Sequence, residues 1–152
     1  MSRCLLLVSL LLLSISARAQ TTCPWLTQGT ASLWLQGHVT VSTNILSTSE
    51  GTCTFTLHQD NATYTLEITV AATNHPRCTT NSKPLTGIGN EAVLCAANPS
   101  RNQTTDTVSS RIRDRYLTVQ LIITSKTPGA LTPDKRQTLV EEAAEEVAGN
   151  LF

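Results

Sequence analysis

GTCTFTLHQDNATYTLEITVAA, residues 51–72, decides the fold, because apolar and polar residues alternate on both sides of a polar turn. The alternating residues with apolar character are Cys53, Phe55, Leu57, Tyr64, Leu66, Ile68 and Val70, and most positions between them are threonine. This period of two, rich in β-branched and aromatic side chains, is typical of half-buried strands. Asp60 and Asn61 tolerate turn geometry. The stretch therefore predicts an antiparallel hairpin with one threonine-rich face exposed to water.

The segments on either side of this hairpin extend the sheet. HVTVSTNIL (residues 38–46) alternates in the same way and predicts a strand before the hairpin. After the hairpin, TNHPRCTTNSKP (73–84) and AANPSRNQTTDTV (96–108) are polar and contain proline, which predicts two loops. Residues 92–94 begin a short strand between these loops, and SRIRDRYLTVQLIITSK (110–126) predicts one long strand.

A helix is predicted at each end of this strand region. In CPWLTQGTASLWLQG (23–37), Thr27 can cap a short helix and Gly37 can end it. In TPDKRQTLVEEAAEEVAGNLF (132–152), Thr132 precedes a proline, and apolar residues recur every three or four positions. Its four glutamates predict a solvated outer face. The fold class is therefore α+β: a single domain with an antiparallel sheet, on which a short N-terminal helix and a C-terminal amphipathic helix pack.

The pattern of residues 1–19 is typical of a targeting segment. Arg3 precedes an apolar run of about 13 residues (4–16), and Ala17-Arg18-Ala19 fits a cleavage site. This run is shorter than the ~20 residues that span a bilayer. Residues 1–19 are thus expected to be a signal peptide, and residues 20–152 a single secreted or periplasmic domain that does not span the membrane after cleavage.

The charge pattern excludes two classes of partner. Without residues 1–19 the chain has 9 basic and 11 acidic residues, and no basic stripe or aromatic-interleaved patch. Nucleic-acid binding therefore has no electrostatic basis. A polybasic cluster for anionic lipids is also absent from the sequence.

Four cysteines remain after signal cleavage, namely Cys23, Cys53, Cys78 and Cys95. An even number in a secreted chain predicts two disulfides, with three possible connectivities. A Cys78–Cys95 bridge would close a loop of about 17 residues, and a Cys23–Cys53 bridge would attach the first helix to the sheet, but other pairings remain open. A four-cysteine zinc site lacks the usual C-x2-C spacing, and Cys23 is poorly placed to carry a lipid.

Catalytic motifs are missing from the sequence. His38, His58 and His75 have no metal-binding spacing, no G-x-S-x-G elbow occurs, and the even cysteine count argues against a free thiol. No cofactor motif is complete, since GIGNEA lacks the third glycine of a dinucleotide fingerprint. If the chain were a hydrolase, the first suspects would be His58, Asp60 and Glu91.

KPLTGIGNEAVLC, residues 83–95, contains the most distinctive short motif. Gly87 and Gly89 permit a positive φ or a close backbone approach, and Ile88 between them can enter the core. Together with Asn90 these residues predict a structural corner that leads into a strand, with a ligand loop as the alternative. The triplets Asn61-Ala62-Thr63 and Asn102-Gln103-Thr104 match the acceptor pattern for N-glycosylation.

The order of these features resembles a group of bacterial secreted domains. It includes actinobacterial lipoproteins of unknown function and the extracellular sensor domain of PknH-type receptor kinases, in which a small-Gly-[Ile/Leu/Val]-Gly-[Asp/Asn]-x-Ala motif precedes the late strands. The matching positions are residues 86–92, although this chain has no lipobox and a shorter middle region. The resemblance implies a compact extracytoplasmic domain that binds a small ligand or another envelope protein, and it supplies no catalytic residues.

Three functions are consistent with these observations. The leading hypothesis is a secreted, non-enzymatic binding or interaction domain of the bacterial envelope, without a cofactor or metal. The alternatives are a small periplasmic hydrolase with dispersed acid and base residues, and a structural envelope protein.

Overall fold

The structure, a computed structural model, describes residues 22–73, 78, 82–100, 102–126 and 131–151. The expected signal peptide and His75 lie outside the described residues. The elements follow the chain as α1 (Gln28–Trp34), β1 (Thr40–Ser47), β2 (Glu50–Gln59), β3 (Ala62–Ala71), β4 (Ser82–Leu85), β5 (Glu91–Ser100), β6 (Gln103–Ile112), β7 (Arg115–Ser125) and α2 (Pro133–Asn150).

The strands form one antiparallel sheet of seven, in the order β1-β2-β3-β7-β6-β5-β4. Every neighbouring pair is antiparallel, and the centre is the pairing of β3 with β7, in which Leu66 lies opposite Leu121. The hairpin predicted for residues 51–72 is confirmed, because His58 pairs with Thr63 and Gln59 with Ala62 around a turn of Asp60 and Asn61. The α+β fold class is confirmed as well.

Both helices lie on the apolar face of the sheet. Phe55, Leu66 and Val119 of this face are completely buried. The buried stripe of α2 packs over β6 and β7 and consists of Leu139, Val140, Ala143, Ala144, Val147 and Ala148. Helix α1 is joined to the start of the sheet by a side-chain bond, in which Gln28 donates to the carbonyl of Val39 at 2.7 Å. The core is therefore one layer between a sheet and two helices.

Two disulfides are present, as expected, and the structure resolves their connectivity. Cys23 is bonded to Cys53 of β2, and Cys78 is bonded to Cys95 of β5. The first joins the segment before α1 to the centre of β2, and the second joins the chain before β4 to the neighbouring strand. Each bridge closes a loop of the unfolded chain and lowers its conformational entropy.

Two sequence predictions are wrong in the region between residues 96 and 126. The predicted loop at 96–108 is largely strand, because β5 continues to Ser100 and β6 begins at Gln103. The predicted single strand at 110–126 is a hairpin, since the chain reverses at Arg113 and Asp114 between β6 and β7. Arg113 makes this tight turn with φ of 54°, a conformation that an arginine seldom adopts.

Candidate functional site

A cleft of about 790 Å³ opens at the end of the sheet where the β2–β3 turn lies. Its walls come from the end of α1, the β2–β3 hairpin, the end of β7 and the first turns of α2. The lining residues are Trp34, Leu35, Gln36, Gln59, Asp60, Asn61, Ala62, Tyr64, Ser125, Leu131, Asp134, Lys135, Thr138, Leu139 and Glu142. This is the candidate site, and we call it the α1–α2 cleft.

The floor of the α1–α2 cleft is apolar and aromatic. Leu35 and Leu139 are buried, while Trp34, Tyr64 and Leu131 pack against the core and remain half-buried. For Trp25 and Trp34, the two tryptophans of the chain, the sequence alone favours a role as core anchors between helix and sheet. Trp25 is buried as expected, at 2 % exposure. Trp34, the last residue of α1, is half-buried and also lines the cleft.

Tight reversals of the backbone form the mouth of the cleft. Gln36, just after α1, has φ of 58°, and Asp60 in the hairpin turn has φ of 51°. Asp and Asn occupy such left-handed conformations more readily than most other residues, which fits the Asp60-Asn61 turn. Asn61 is also the acceptor position of the first glycosylation triplet, so the structure places that triplet at the cleft.

An ion pair inside the protein anchors the α2 side of the cleft. The Arg136 Nε donates to the Asp106 Oδ2 at 2.6 Å, and Asp106 is completely buried in β6. The same guanidinium donates through Nη1 to the carbonyl of Leu131 at 3.0 Å. Arg136 thus ties the first turn of α2 to the sheet and fixes Leu131 in the cleft wall. Among the described residues, Asp106 Oδ1 has no hydrogen-bond partner.

The rim of the cleft carries more negative than positive charge. Asp60, Asp134 and Glu142 contribute carboxylates, and Lys135 contributes one ammonium group. None of these four side chains takes part in an ion pair among the described residues. All four of these charged residues are exposed to water at the cleft.

The Gly87–Asn90 motif lies at the opposite end of the sheet from the cleft. Ile88 is 2 % exposed, and its carbonyl accepts a hydrogen bond from the Ser110 Oγ at 2.8 Å. Asn90 donates its backbone N–H to the carbonyl of Arg111 and accepts from the Arg113 N–H at 3.0 Å. These contacts give the motif a structural role at the corner before β5.

Gly89 is required at this corner for two physical reasons. Its φ is 65°, and a Cβ there would lie 2.5 Å from the carbonyl oxygen of Arg111. Gly87 has φ of 88°, but a Cβ at that position would meet nothing within 4 Å. The second glycine is therefore the one that close packing demands.

The hydrolase suspects do not converge. His58 is exposed and shares a hydrogen bond of 3.1 Å with the Thr63 hydroxyl beside the hairpin turn. Across the sheet, Glu91 of β5 pairs with Arg111 of β6. Arg111 pairs with Tyr116 of β7, and Tyr116 pairs with Ala71, the last residue of β3. The two ends of the ten-residue β3 are about 30 Å apart. His58 and Asp60 therefore lie at one end of the sheet, and Glu91 lies at the other.

Neither a metal cluster nor a membrane-crossing helix is found in the parts of the chain that the structure describes. No group of three or more His, Cys, Asp or Glu side chains there could hold an ion. No helix among the described residues is both long and apolar enough to cross a membrane.

The comparisons with known proteins name no family. No family model matches the chain, and no curated protein matches it. Among solved structures, the crystal structure of Ara h 8.0201 matches with 8 % identity over 82 % of this chain and 81 % of that chain, at a TM-score of 0.27. The interpretation of the α1–α2 cleft therefore depends on its own chemistry.

Sequence reasoning missed the α1–α2 cleft because its residues are scattered along the chain. The lining residues fall within five segments, which are positions 34–36, 59–64, 125, 131–135 and 138–142. Trp34 and Tyr64 alone carry a recognisable signal, since amphipathic aromatic rings often line binding sites. Their sequence positions fit a core role equally well.

Proposed function

We propose that this chain is a secreted, non-enzymatic binding domain that takes a small ligand in the α1–α2 cleft. The cleft itself supports this proposal: its volume of about 790 Å³ is within the range of ligand sites, roughly 300–1,000 Å³. An apolar floor with a few polar groups at the rim is the usual composition of such sites.

A location outside the cytoplasm fits the same proposal. Both cysteine pairs are oxidised, and disulfides persist mainly in oxidising compartments such as the periplasm. The signal-like residues 1–19 and the resemblance to bacterial secreted sensor domains point the same way. Of the three hydrolase suspects, His58 and Asp60 lie at one end of the sheet and Glu91 lies at the other.

The test uses residues 20–152, exported to a bacterial periplasm and labelled with nitrogen-15. Three probes share one indole ring and differ in charge: tryptophol is neutral, tryptamine is cationic and indole-3-propionate is anionic. If the cleft binds small ligands, at least one probe shifts the amide signals of cleft residues such as Trp34, Tyr64 and Leu139. If every probe leaves these signals unchanged, the proposal is wrong.

Two variants locate the binding. Thr138→Trp places a large ring in the cleft from the exposed side of α2 and is expected to abolish the shifts. Thr54→Trp places the same ring on the opposite, solvent-facing side of the sheet and is expected to leave them intact. Equal shifts in both variants would show that the probes bind elsewhere.

A further inference from the structure

The charges at the α1–α2 cleft select among ligand classes. The lining contains three carboxylates, on Asp60, Asp134 and Glu142, against the single ammonium of Lys135. Since none of them is neutralised by an ion pair among the described residues, their summed field at the cleft is negative. Charges that line one concave surface act together on an approaching ligand.

The N-terminus of α2 adds an opposing contribution. Helix α2 begins at Pro133 beside the cleft, and its N-terminus carries about half a positive elementary charge. Asp134, in its first turn, offsets that partial charge. The two remaining carboxylates, on Asp60 and Glu142, outnumber the single ammonium group of Lys135. The net charge of the lining therefore stays negative.

The aromatic floor favours the same sign of ligand. Trp34 and Tyr64 line the cleft together, and the faces of indole and phenol rings attract cations. Leu131 and Leu139 supply aliphatic surface beside them. A ligand with an apolar body and one cationic group would bury the body against the leucines and place its charge between the aromatic rings and the acidic rim.

We propose that the ligand of the α1–α2 cleft is a small organic cation, an amine with an aromatic or aliphatic body. This inference rests on the proposed binding function and adds the chemical class of the ligand. The competing classes are carboxylic acids and neutral ring compounds of the same size. The negative field of the cleft would repel the ionised acids and would neither attract nor repel the neutral compounds.

The dissociation constants of the three indole probes test this inference, measured by titration of the same amide signals at low ionic strength. Tryptamine is expected to bind about tenfold more tightly than indole-3-propionate, with tryptophol between them. Added salt is expected to reduce this difference, because exposed charges are screened.

Single substitutions assign the preference to the rim. Asp60→Asn and Glu142→Gln are each expected to weaken tryptamine binding about threefold and to leave tryptophol unchanged. Glu145→Gln is the matched control, because Glu145 is exposed on the same helix but does not line the cleft. Lys135→Gln is expected to strengthen tryptamine binding.

The outcomes separate this inference from the proposed function. Equal affinity for the three probes at the cleft, or tighter binding of indole-3-propionate, overturns the cation assignment while the binding function stands. A preference for tryptamine that survives both Asp60→Asn and Glu142→Gln also overturns it. Absence of all binding at the cleft overturns the inference and the proposed function together.

Discussion

The two halves of the sheet, β1–β3 and β4–β7, fill the interior with different kinds of side chain. On β2 and β3 the inward side chains are apolar, as at Phe55, Leu66 and Ile68. On β6 the inward positions alternate between apolar and polar, and Asp106 and Ser110 are completely buried. The inward face of the first half is filled by apolar side chains, whereas that of the second also contains polar side chains bonded to distant segments. A polar residue can thus point into the core where another part of the chain supplies its hydrogen-bond partner, as Arg136 does for Asp106.

The largest expected effect comes from breaking the polar anchor of the second half. Arg136→Met would leave the Asp106 carboxylate buried and unpaired, and should lower the free energy of unfolding by about 3–5 kcal/mol. Urea unfolding measures this loss. The double variant Asp106→Leu/Arg136→Met should stay within about 1 kcal/mol of the original protein, because apolar pairs often replace buried ion pairs at little cost. Equal losses in the single and double variants would contradict a coupled pair.

Next in size is the apolar interior of the first half. Leu66→Ala removes a completely buried side chain beside Leu121 and should cost about 3 kcal/mol, measured by the same unfolding experiment. Thr65→Ala, one position earlier, changes the solvent-facing side of the same strand and should cost less than about 1 kcal/mol. Similar losses at both positions would mean that the two faces are not packed differently.

The two glycines of the corner should differ in a measurable way. Gly89→Ala should cost about 2–3 kcal/mol, since its Cβ would lie 2.5 Å from the Arg111 carbonyl oxygen in addition to the strained φ. Gly87→Ala meets no neighbour within 4 Å and should cost about 1 kcal/mol, from the positive φ alone. Thermal unfolding of both variants checks the order, and a larger loss at Gly87 would contradict it.

A further, smaller effect than that at Gly89 is expected from one hydrogen bond of the second half. Ser110→Ala removes the donor to the buried carbonyl of Ile88 and should cost about 1–2 kcal/mol in urea unfolding. Ser42→Ala, on an exposed position of β1, is the control and should change stability by less than about 0.5 kcal/mol. A loss at Ser110 no larger than at Ser42 would show that the bond adds nothing.

The same difference between the halves decides what the sequence can predict. On either side of the Asp60-Asn61 turn, every second position of residues 53–57 and 64–70 is apolar, so the hairpin and its buried face follow from the period. In β6 the inward Asp106 and Ser110 interrupt the apolar pattern, so positions 103–108 resemble a loop and positions 110–112 resemble the start of the next strand. Their partners, Arg136 and the Ile88 carbonyl, are 30 and 22 positions away, where a local pattern cannot indicate them.

The missed hairpin turn has a local cause. Arg113 and Asp114 reverse the chain without a glycine or a proline, and the run from 110 to 126 therefore looks continuous. The α1–α2 cleft escaped prediction because five separate segments form it. Charge balance over the whole chain, close to neutral, also conceals the acidic excess at its rim.

The connectivity of the cysteines has a consequence for how the chain could be divided. Cys23–Cys53 lies wholly within the first half, and Cys78–Cys95 lies wholly within the second. A cut between residues 73 and 78 would thus leave two covalently independent fragments, each with its own bridge. The β3–β7 ladder, the packing of the helices and the bond from the Asn150 Nδ2 to the Trp25 carbonyl would hold them together. The protein is in this sense a natural candidate for fragment complementation, with the central seam of its sheet as the joint.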